Sequence, residues 1–474
     1  MRTPACLSVS RLLLVLLPCA AVAASSVDPA IFNVRDFGAT GRDIHADTAA
    51  IQKAIDTCSA YGGGQVVVPS GALITVATIE LKSHVDLHLE RGAELKGSPN
   101  EGDFTRFAPQ PVTFDSRPVP MMGVIVYADH AADIAITGPG RINGNGMAFV
   151  TQVGPQIYTC TDLRPFSVVL RECSHVLLRD FTLKDSAFWT LRLLGCDDVL
   201  VDAARIDGDL RMPNNDGIDW SSNVRVRGCH ITTGDDCISL KTAPLSEGVT
   251  RPCENIVISG CTLTSRSSGV VVGCDVGGPI RDVVVSDCVI KDSHRGVSVR
   301  LSLGGSIERV LFTNLIIQTR IFDPKWWGRG EPIQVLALPW TAQTKLGVIR
   351  DIRFSNLICN SENGAVVWAD EAGHIENISF DRVSIHIDRP REFPGGQQDL
   401  RPNADKEPLR TLPTSGFLMS HAAGVSFRDC SVAWGPNPPD YFQHALDALA
   451  CPGLSADGLS GESAHPGMAA KSIN

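Results

Sequence analysis

The sequence predicts an all-β protein, a right-handed parallel β-helix with a capping helix near its start. Three observations carry that prediction. Short apolar strands recur as His175-Val176-Leu177-Leu178-Arg179-Asp180-Phe181, Asp198-Val199-Leu200-Val201, Asn223-Val224-Arg225-Val226-Arg227-Gly228-Cys229, Asn255-Ile256-Val257-Ile258-Ser259-Gly260-Cys261 and Asp282-Val283-Val284-Val285-Ser286-Asp287-Cys288, spaced by about 23 to 32 residues. Each unit alternates apolar and polar residues, turns, and adds a second strand such as Gly269-Val270-Val271-Val272 or Gly296-Val297-Ser298-Val299. No helical pattern of ten or more residues lies between the units, which excludes folds whose parallel strands need crossover helices. Repeats of this size bury an interior only by stacking on one another.

Taken in order, residues 1–24 read as a secretory signal peptide. Arg2 and Arg11 precede an apolar stretch from Leu12 to Val22, which ends in small residues around Ala23-Ala24. The solenoid is expected over residues 25–435. Near its start Asp47-Thr48 precedes Ala49, Ala50, Ile51, Ala54 and Ile55, a helix with an N-cap acid that covers the open edge of the stack. Gly62-Gly63-Gly64 then turns into the first clear strand, Gln65-Val66-Val67-Val68-Pro69. The repeats continue at Arg309-Val310, Asp351-Ile352, Asn377-Ile378 and Gly424-Val425. Residues 436–474, rich in Pro, Gly, Ala and Ser, are expected to form a cap with a short helix around Tyr441 to Leu449 and a partly disordered tail.

Composition narrows the function classes. With 43 glycines and 6% aromatic residues, the chain suits many short strands and tight turns. A net charge of −10 without a run of basic residues argues against nucleic acid as a partner. No segment after the leader reaches the roughly 18 apolar residues of a membrane helix. Of 15 cysteines, Cys6 and Cys19 would leave with the leader, and the odd remainder cannot all pair within one chain. Cys229, Cys261, Cys288 and Cys430 stand at the phase where other repeats place Phe181, Leu315, Leu357 and Val383, so they are read as buried hydrophobes rather than disulfides. No paired Cys-x-x-Cys or clustered Cys and His spacing suggests a metal.

Stacking three adjacent stretches, Asn214-Asn215-Asp216-Gly217-Ile218-Asp219, Gly234-Asp235-Asp236-Cys237-Ile238 and Ser267-Ser268-Gly269-Val270, puts Asp216, Asp236 and Ser268 in one column. Arg295 falls in the same column, and Lys241 in that of Arg300. Carboxylates on neighbouring rungs lie roughly 4.8 Å apart, so one of the pair should have a raised pKa. Such a pair can hold and activate a water, while Asp235, one position earlier, can protonate a leaving group from another side. A separation of about 6.5 to 9.5 Å between acid and base is then expected for inversion. A turn aspartate on its own more often caps backbone donors or binds calcium.

These motifs, together with Phe32-Asn33-Val34-Arg35-Asp36-Phe37-Gly38-Ala39, resemble glycoside hydrolase family 28, the polygalacturonase-type pectin hydrolases. The resemblance extends from about Phe32 to Trp434. It implies a pectin-lyase-like solenoid and single-displacement hydrolysis, without metal or cofactor, by the acids matching Asp216, Asp235 and Asp236. Two departures bear on substrate. Ser267-Ser268-Gly269 stands where the family has Gly-His-Gly, and Ser298-Val299-Arg300 where it has a carboxylate-gripping Arg-Ile-Lys. Arginine retains a fork suited to carboxylates.

The expected substrate-binding residues are Asn214, Asp219, Lys241, Ser268, Arg295 and Arg300. His294 either reaches in to replace the missing histidine or sits in an exposed turn, and His230 points outward. The Trp326-Trp327-Gly328-Arg329-Gly330-Glu331-Pro332 loop either stacks on sugar, with Arg329 or Glu331 binding hydroxyls, or anchors itself to the solenoid. Trp368, Asp370 and Glu371 are candidates for an outer cleft wall, and the segment from Arg389 to Leu412 for a block at one end. The expectation is a secreted or periplasmic monomer that hydrolyses a pectic or related acidic polysaccharide or oligosaccharide. The alternatives are a polysaccharide lyase using Lys241 or Arg300, and a carbohydrate-binding β-helix without catalysis.

Overall fold

Successive repeats pair strand on strand, in parallel and in register, so backbone hydrogen bonds run along the long axis of a right-handed β-helix. The computed structural model describes residues 30–107, 122–219, 222–242, 249–404 and 409–474, together with the backbone of strands Thr113–Phe114, Arg117–Pro118 and Pro244–Ser246. The expected leader lies outside the described residues. Register can be followed through twelve rungs by a single interior column: Val66, Leu87, Ile136, Leu178, Val201, Val226, Ile258, Val285, Phe312, Phe354, Phe380 and Phe427. All are buried. The last four stack ring on ring, with centroids 5.1, 5.1 and 5.2 Å apart, so the rung spacing itself sets the aromatic contact.

The polar residue that opens each repeat has a backbone cause. Asp198, Asn223, Asn255, Asp282, Arg309, Asp351 and Asn377 each turn a corner with φ between 53 and 59°, the left-handed region that Asn and Asp tolerate best among residues with a side chain. Their side chains also tie rung to rung. Asn255 Nδ2 donates to Asn223 Oδ1 at 2.9 Å, and Arg309 forks onto Asp282 at 2.7 and 3.0 Å.

Every described cysteine is free. Cys229, Cys261, Cys288 and Cys430 are buried in the core, and each donates its S–H to the carbonyl two residues earlier, at 3.1 to 3.4 Å. Interior phase thus explains these four positions.

Two end features differ from expectation. The capping helix runs Ile44–Tyr61 and its N-cap is Asp43, whose side chain accepts from Ala46 N. Asp47 lies one turn inside, buried, and accepts from the backbone N–H groups of Thr40 and Asp43. Its role is to fasten the preceding turn. At the far end Leu446–Leu449 is a strand, not a helix, and pairs in parallel with Phe417–Ser420 and with the last strand, Lys471–Ile473. Period-2 burial, in which Leu446 and Ala448 face the core, outweighs the helical propensity of the segment.

Candidate active site

One face of the solenoid carries strands Ile218–Asp219, Ile238–Thr242, Ser268–Val276, Arg295–Leu301 and Ile333–Ala337, each paired with the next. Gly217 N donates to Asp236 O at 2.9 Å and Cys237 N to Ser268 O at 3.0 Å. Ser268 pairs with Arg295. The column of Asp216, Asp236, Ser268 and Arg295 therefore stands as expected. Gly217 is required by this close pairing, because a Cβ there would meet Cys237 O at 2.3 Å.

The turn bearing Asp235 is held from several sides. Asn215, fully buried, accepts from Gly234 N at 2.7 Å and Asp235 N at 3.1 Å, and donates Nδ2 to Asp209 O at 3.1 Å. Ser265 Oγ donates to Asp235 O at 2.6 Å. Asp235 Oδ1 accepts from Asp236 N at 3.0 Å, and Asp236 Oδ1 from Ser268 N at 2.9 Å. Each acid thus has one oxygen tethered to backbone, which fixes its rotamer.

Asp216, Asp235 and Asp236 converge, their nearest carboxyl oxygens all within 4.8 Å of one another. The cause is local, since Asp235 and Asp236 are consecutive and Asp216 is one rung away. Burial, then the charge of Asp236, push Asp235 up to about 7 against the opposing pull of Lys241. Burial and the charge of Asp235 raise Asp216 well above the usual carboxylate range. Lys241 Nζ lies 3.4 Å from Asp216 Oδ2 and 3.9 Å from Asp219 Oδ1, and sits 4.6 Å from the Trp189 ring centre. Burial alone would lower its pKa, but Asp219, Asp216 and Asp275 raise it, so it remains an ammonium.

A cavity of about 310 Å³ opens over the acids, walled by Asn214, Lys241, Asp275, Arg300, Trp326 and Trp327 among others. Arg300 lies 5.7 Å from the Trp327 ring centre and donates to the Arg401 carbonyl. Among the described residues no carboxylate is within ion-pair distance of its guanidinium.

Other expected contacts fall below the cavity. Ser268 and Arg295 are fully buried. Arg295 donates to Ser268 Oγ at 3.3 Å and to Asp399 Oδ2 at 2.9 Å, and lies 3.9 Å from Glu331. Asp219 is fully buried as well, pushed up to about 6 by burial while Lys241 and Arg192 oppose the shift. These three are supports under the site rather than surfaces facing a ligand. Arg329 and Glu331 are likewise buried; Arg329 donates to the carbonyls of Pro324, Trp326 and Gly328, and so anchors the tryptophan loop. Trp326 and Trp327 line the cavity, and Trp326 Nε1 donates to Gly234 O at 3.2 Å.

His294 is buried, not exposed, and faces away from the acids. Its Nδ1 donates to Arg266 O at 3.2 Å and its ring packs edge-on against Phe322. His230 is exposed, as expected. Trp368 Nε1 donates to Asp370 at 2.9 Å, and Arg410 forks onto the same carboxylate. Among the described residues of the segment from Arg389 to Leu412, Gln397–Asp399 pairs antiparallel with Leu409–Thr411, and Asp399 comes under the tryptophan loop and Pro402 to the cavity wall.

Sequence reasoning missed Arg192, Asp275 and Asp399. Arg192 pairs in register with Asp219 on the preceding rung. Asp275 has the outward phase of Val271 and Gly273 on its own strand, so both were legible from register. Asp399 had no such signal, because its loop lies between repeats.

The family model for glycosyl hydrolases family 28 matches residues 58–324. A probable polygalacturonase of Vitis vinifera is 30% identical over 258 residues, covering 52% of each chain. An exo-poly-alpha-D-galacturonosidase of Dickeya chrysanthemi is 28% identical over 255 residues, covering 44% of this chain and 42% of that one. The chain thus spans about half the length of the curated relatives it matches. A family 28 exopolygalacturonase of Yersinia enterocolitica superposes with a TM-score of 0.69 at 20% identity, over 92% of this chain and 79% of that one. An exopolygalacturonase of Thermotoga maritima gives 0.63 at 19%, over 86% and 93%. At such identities the structural likeness is one of fold. The family match covers more than half of the sequence, and the chain belongs to glycosyl hydrolases family 28.

Proposed function

We propose that the protein hydrolyses glycosidic bonds in a pectic, acidic polysaccharide by direct displacement. Asp235 gives its proton to the leaving oxygen, and Asp236 with Asp216 holds the water and takes its proton. Arg300 and Lys241 supply positive charge for a sugar carboxylate. The observation that carries this reading is the triad of converging acids, with Asp235 pushed up to about 7, in one cavity with Arg300, which has no carboxylate partner among the described residues. The names of the relatives, polygalacturonases among them, point to the same substrate. A lyase needs a neutral base, and the acids around Lys241 keep it protonated. Pro402 and the hairpin at the cavity wall favour attack from a chain end. Arg2, Arg11 and the apolar Leu12 to Val22 support export, and the enzyme is read as acting alone.

Because the acids lie close, stereochemistry is the sharp test. On α-linked polygalacturonate, proton NMR of the first product should show the β-anomer at the new reducing end. A first-formed α-anomer would instead mean a covalent intermediate and overturn direct displacement.

A further inference from the structure

Arg164 stands in the loop before strand Phe166–Arg171, two rungs ahead of the turn that carries Asp216. That strand pairs with Leu191–Leu194, which pairs in turn with Ile218–Asp219. The guanidinium ties together the turns that lead into all three. Its Nη1 donates to Ala187 O at 2.9 Å and to Pro213 O at 2.8 Å, and its Nη2 donates to Asn214 Oδ1 at 3.2 Å. The side chain is buried, and among the described residues no carboxylate is within ion-pair distance of it. Burial works against its charge. A covered cation without a counter-charge costs stability, and an apolar side chain would serve packing alone at least as well.

The arginine is also held in place by rings. It lies 4.9 Å from the Phe188 ring centre, and Phe188 stacks on Trp189 with centroids 5.4 Å apart and planes 11° from parallel. Lys241, the ammonium beside Asp216, lies against that same Trp189. One aromatic stack under the acids therefore carries both Arg164 and Lys241.

What the guanidinium orients is Asn214. This residue takes a φ of 59° and lines the acid cavity, whereas Arg164 lies outside the cavity wall. The Asn214 backbone N–H is among the groups that favour the charged form of Asp235. A guanidinium only donates, so the amide atom turned toward Arg164 is the oxygen. Nδ2 is left as the free end of the amide, without a hydrogen-bond partner among the described residues. Its N–H donors stand at the cavity wall beside the proposed acid, where a sugar hydroxyl offers lone pairs to accept them.

We infer that Arg164 is a positioning residue, which fixes the Asn214 amide so that Nδ2 donates to a hydroxyl of the sugar whose bond breaks. The inference rests on the reading of the protein as a pectic hydrolase. Arg164 acts through the amide it orients and not by touching the substrate.

Steady-state kinetics of the full chain on polygalacturonate test it through a double-mutant cycle of Arg164→Lys and Asn214→Ala, each variant first shown by near-UV circular dichroism to be folded. Lysine keeps the charge but not the fork, so Arg164→Lys should lower kcat about tenfold and leave KM within about twofold of wild type. In the Asn214→Ala background the same change should lower kcat by no more than about twofold. An arginine with a merely structural role would cost the same in both backgrounds. Equal losses with and without Asn214, or no loss from Arg164→Lys, would overturn the inference. Should Arg164→Lys not fold, Phe188→Leu, which keeps the arginine and removes the ring beside it, takes its place in the cycle. A loss of about threefold that vanishes in Asn214→Ala then supports the inference, and an equal loss, or none, overturns it. Should the wild type release no reducing ends from any pectic polysaccharide, the hydrolase reading fails, and a crystal structure of the Arg164→Lys protein decides the positioning. An Asn214 amide turned from its place supports it, and an unmoved amide overturns it.

Discussion

The side-chain oxygen of Asn215 accepts hydrogen bonds from the backbone of Gly234 and from that of Asp235, the proposed acid, one rung further on. The turn that carries the proposed acid is thereby set by the amide of a residue on the neighbouring rung. Replacing Asn215 with Ala leaves two buried N–H donors without a partner, a cost of about 1 to 3 kcal/mol each. The expected outcome is a loss of kcat of at least about tenfold with a small change in KM, because orientation and not affinity is lost. Near-UV circular dichroism checks that the fold survives.

The raised pKa of Asp235 has a sign for both activity and stability. A general acid must be protonated, so kcat/KM should fall as pH rises through about 7. The same carboxyl has a folded pKa above its unfolded value near 3.9. Its contribution to stability is therefore full below about pH 4 and lost as pH rises through 7. Thermal unfolding of Asp235→Asn should show a Tm above wild type at pH 8 and equal to it at pH 4.

Arg300 should govern affinity for acidic sugar. Arg300→Gln is expected to raise KM for polygalacturonate about tenfold or more while changing kcat little. On fully methyl-esterified pectin, where the carboxylate is gone, wild type and variant should converge.

The pair of Arg295 and Asp399 joins the solenoid to the hairpin inserted between repeats, both side chains fully buried. Burial alone would raise the pKa of Asp399, but Arg401 and Arg295 outweigh it and hold the carboxyl well below the usual range. Asp399→Ala would strand Arg295 beside Glu331 alone, so urea denaturation should show a loss of about 3 to 5 kcal/mol. Activity should fall with it, because Gly328 N and Arg401, which hold the tryptophan loop, bond to the same carboxylate.

What the sequence revealed follows from where register reaches. The β-helix was legible because the left-handed corner residue and the interior column recur in every unit, from Asp198 through Asn377. The acid column and the interior cysteines follow from the same stacking. Burial was less legible, since a column gives the neighbours of a residue but not what covers it. Ser268 and Arg295 stack as read, yet Asp399 arrives from a loop more than a hundred residues away and caps Arg295. His294 was read without Phe322 and the tryptophan loop that bury it. The strand at Leu446–Leu449 was mistaken for a helix because four residues beyond the last clear repeat carry too little period-2 signal.

The central claim is that Asp235 is the acid of a pectic hydrolase. Wild type and Asp235→Asn, both shown to be folded, should be incubated with polygalacturonate while reducing ends and ultraviolet absorbance are followed together. The account predicts new reducing ends without an unsaturated product for the wild type, and a rate lower by about a thousandfold or more for Asp235→Asn. Full hydrolytic activity in Asp235→Asn, or an unsaturated product from the wild type, would contradict it.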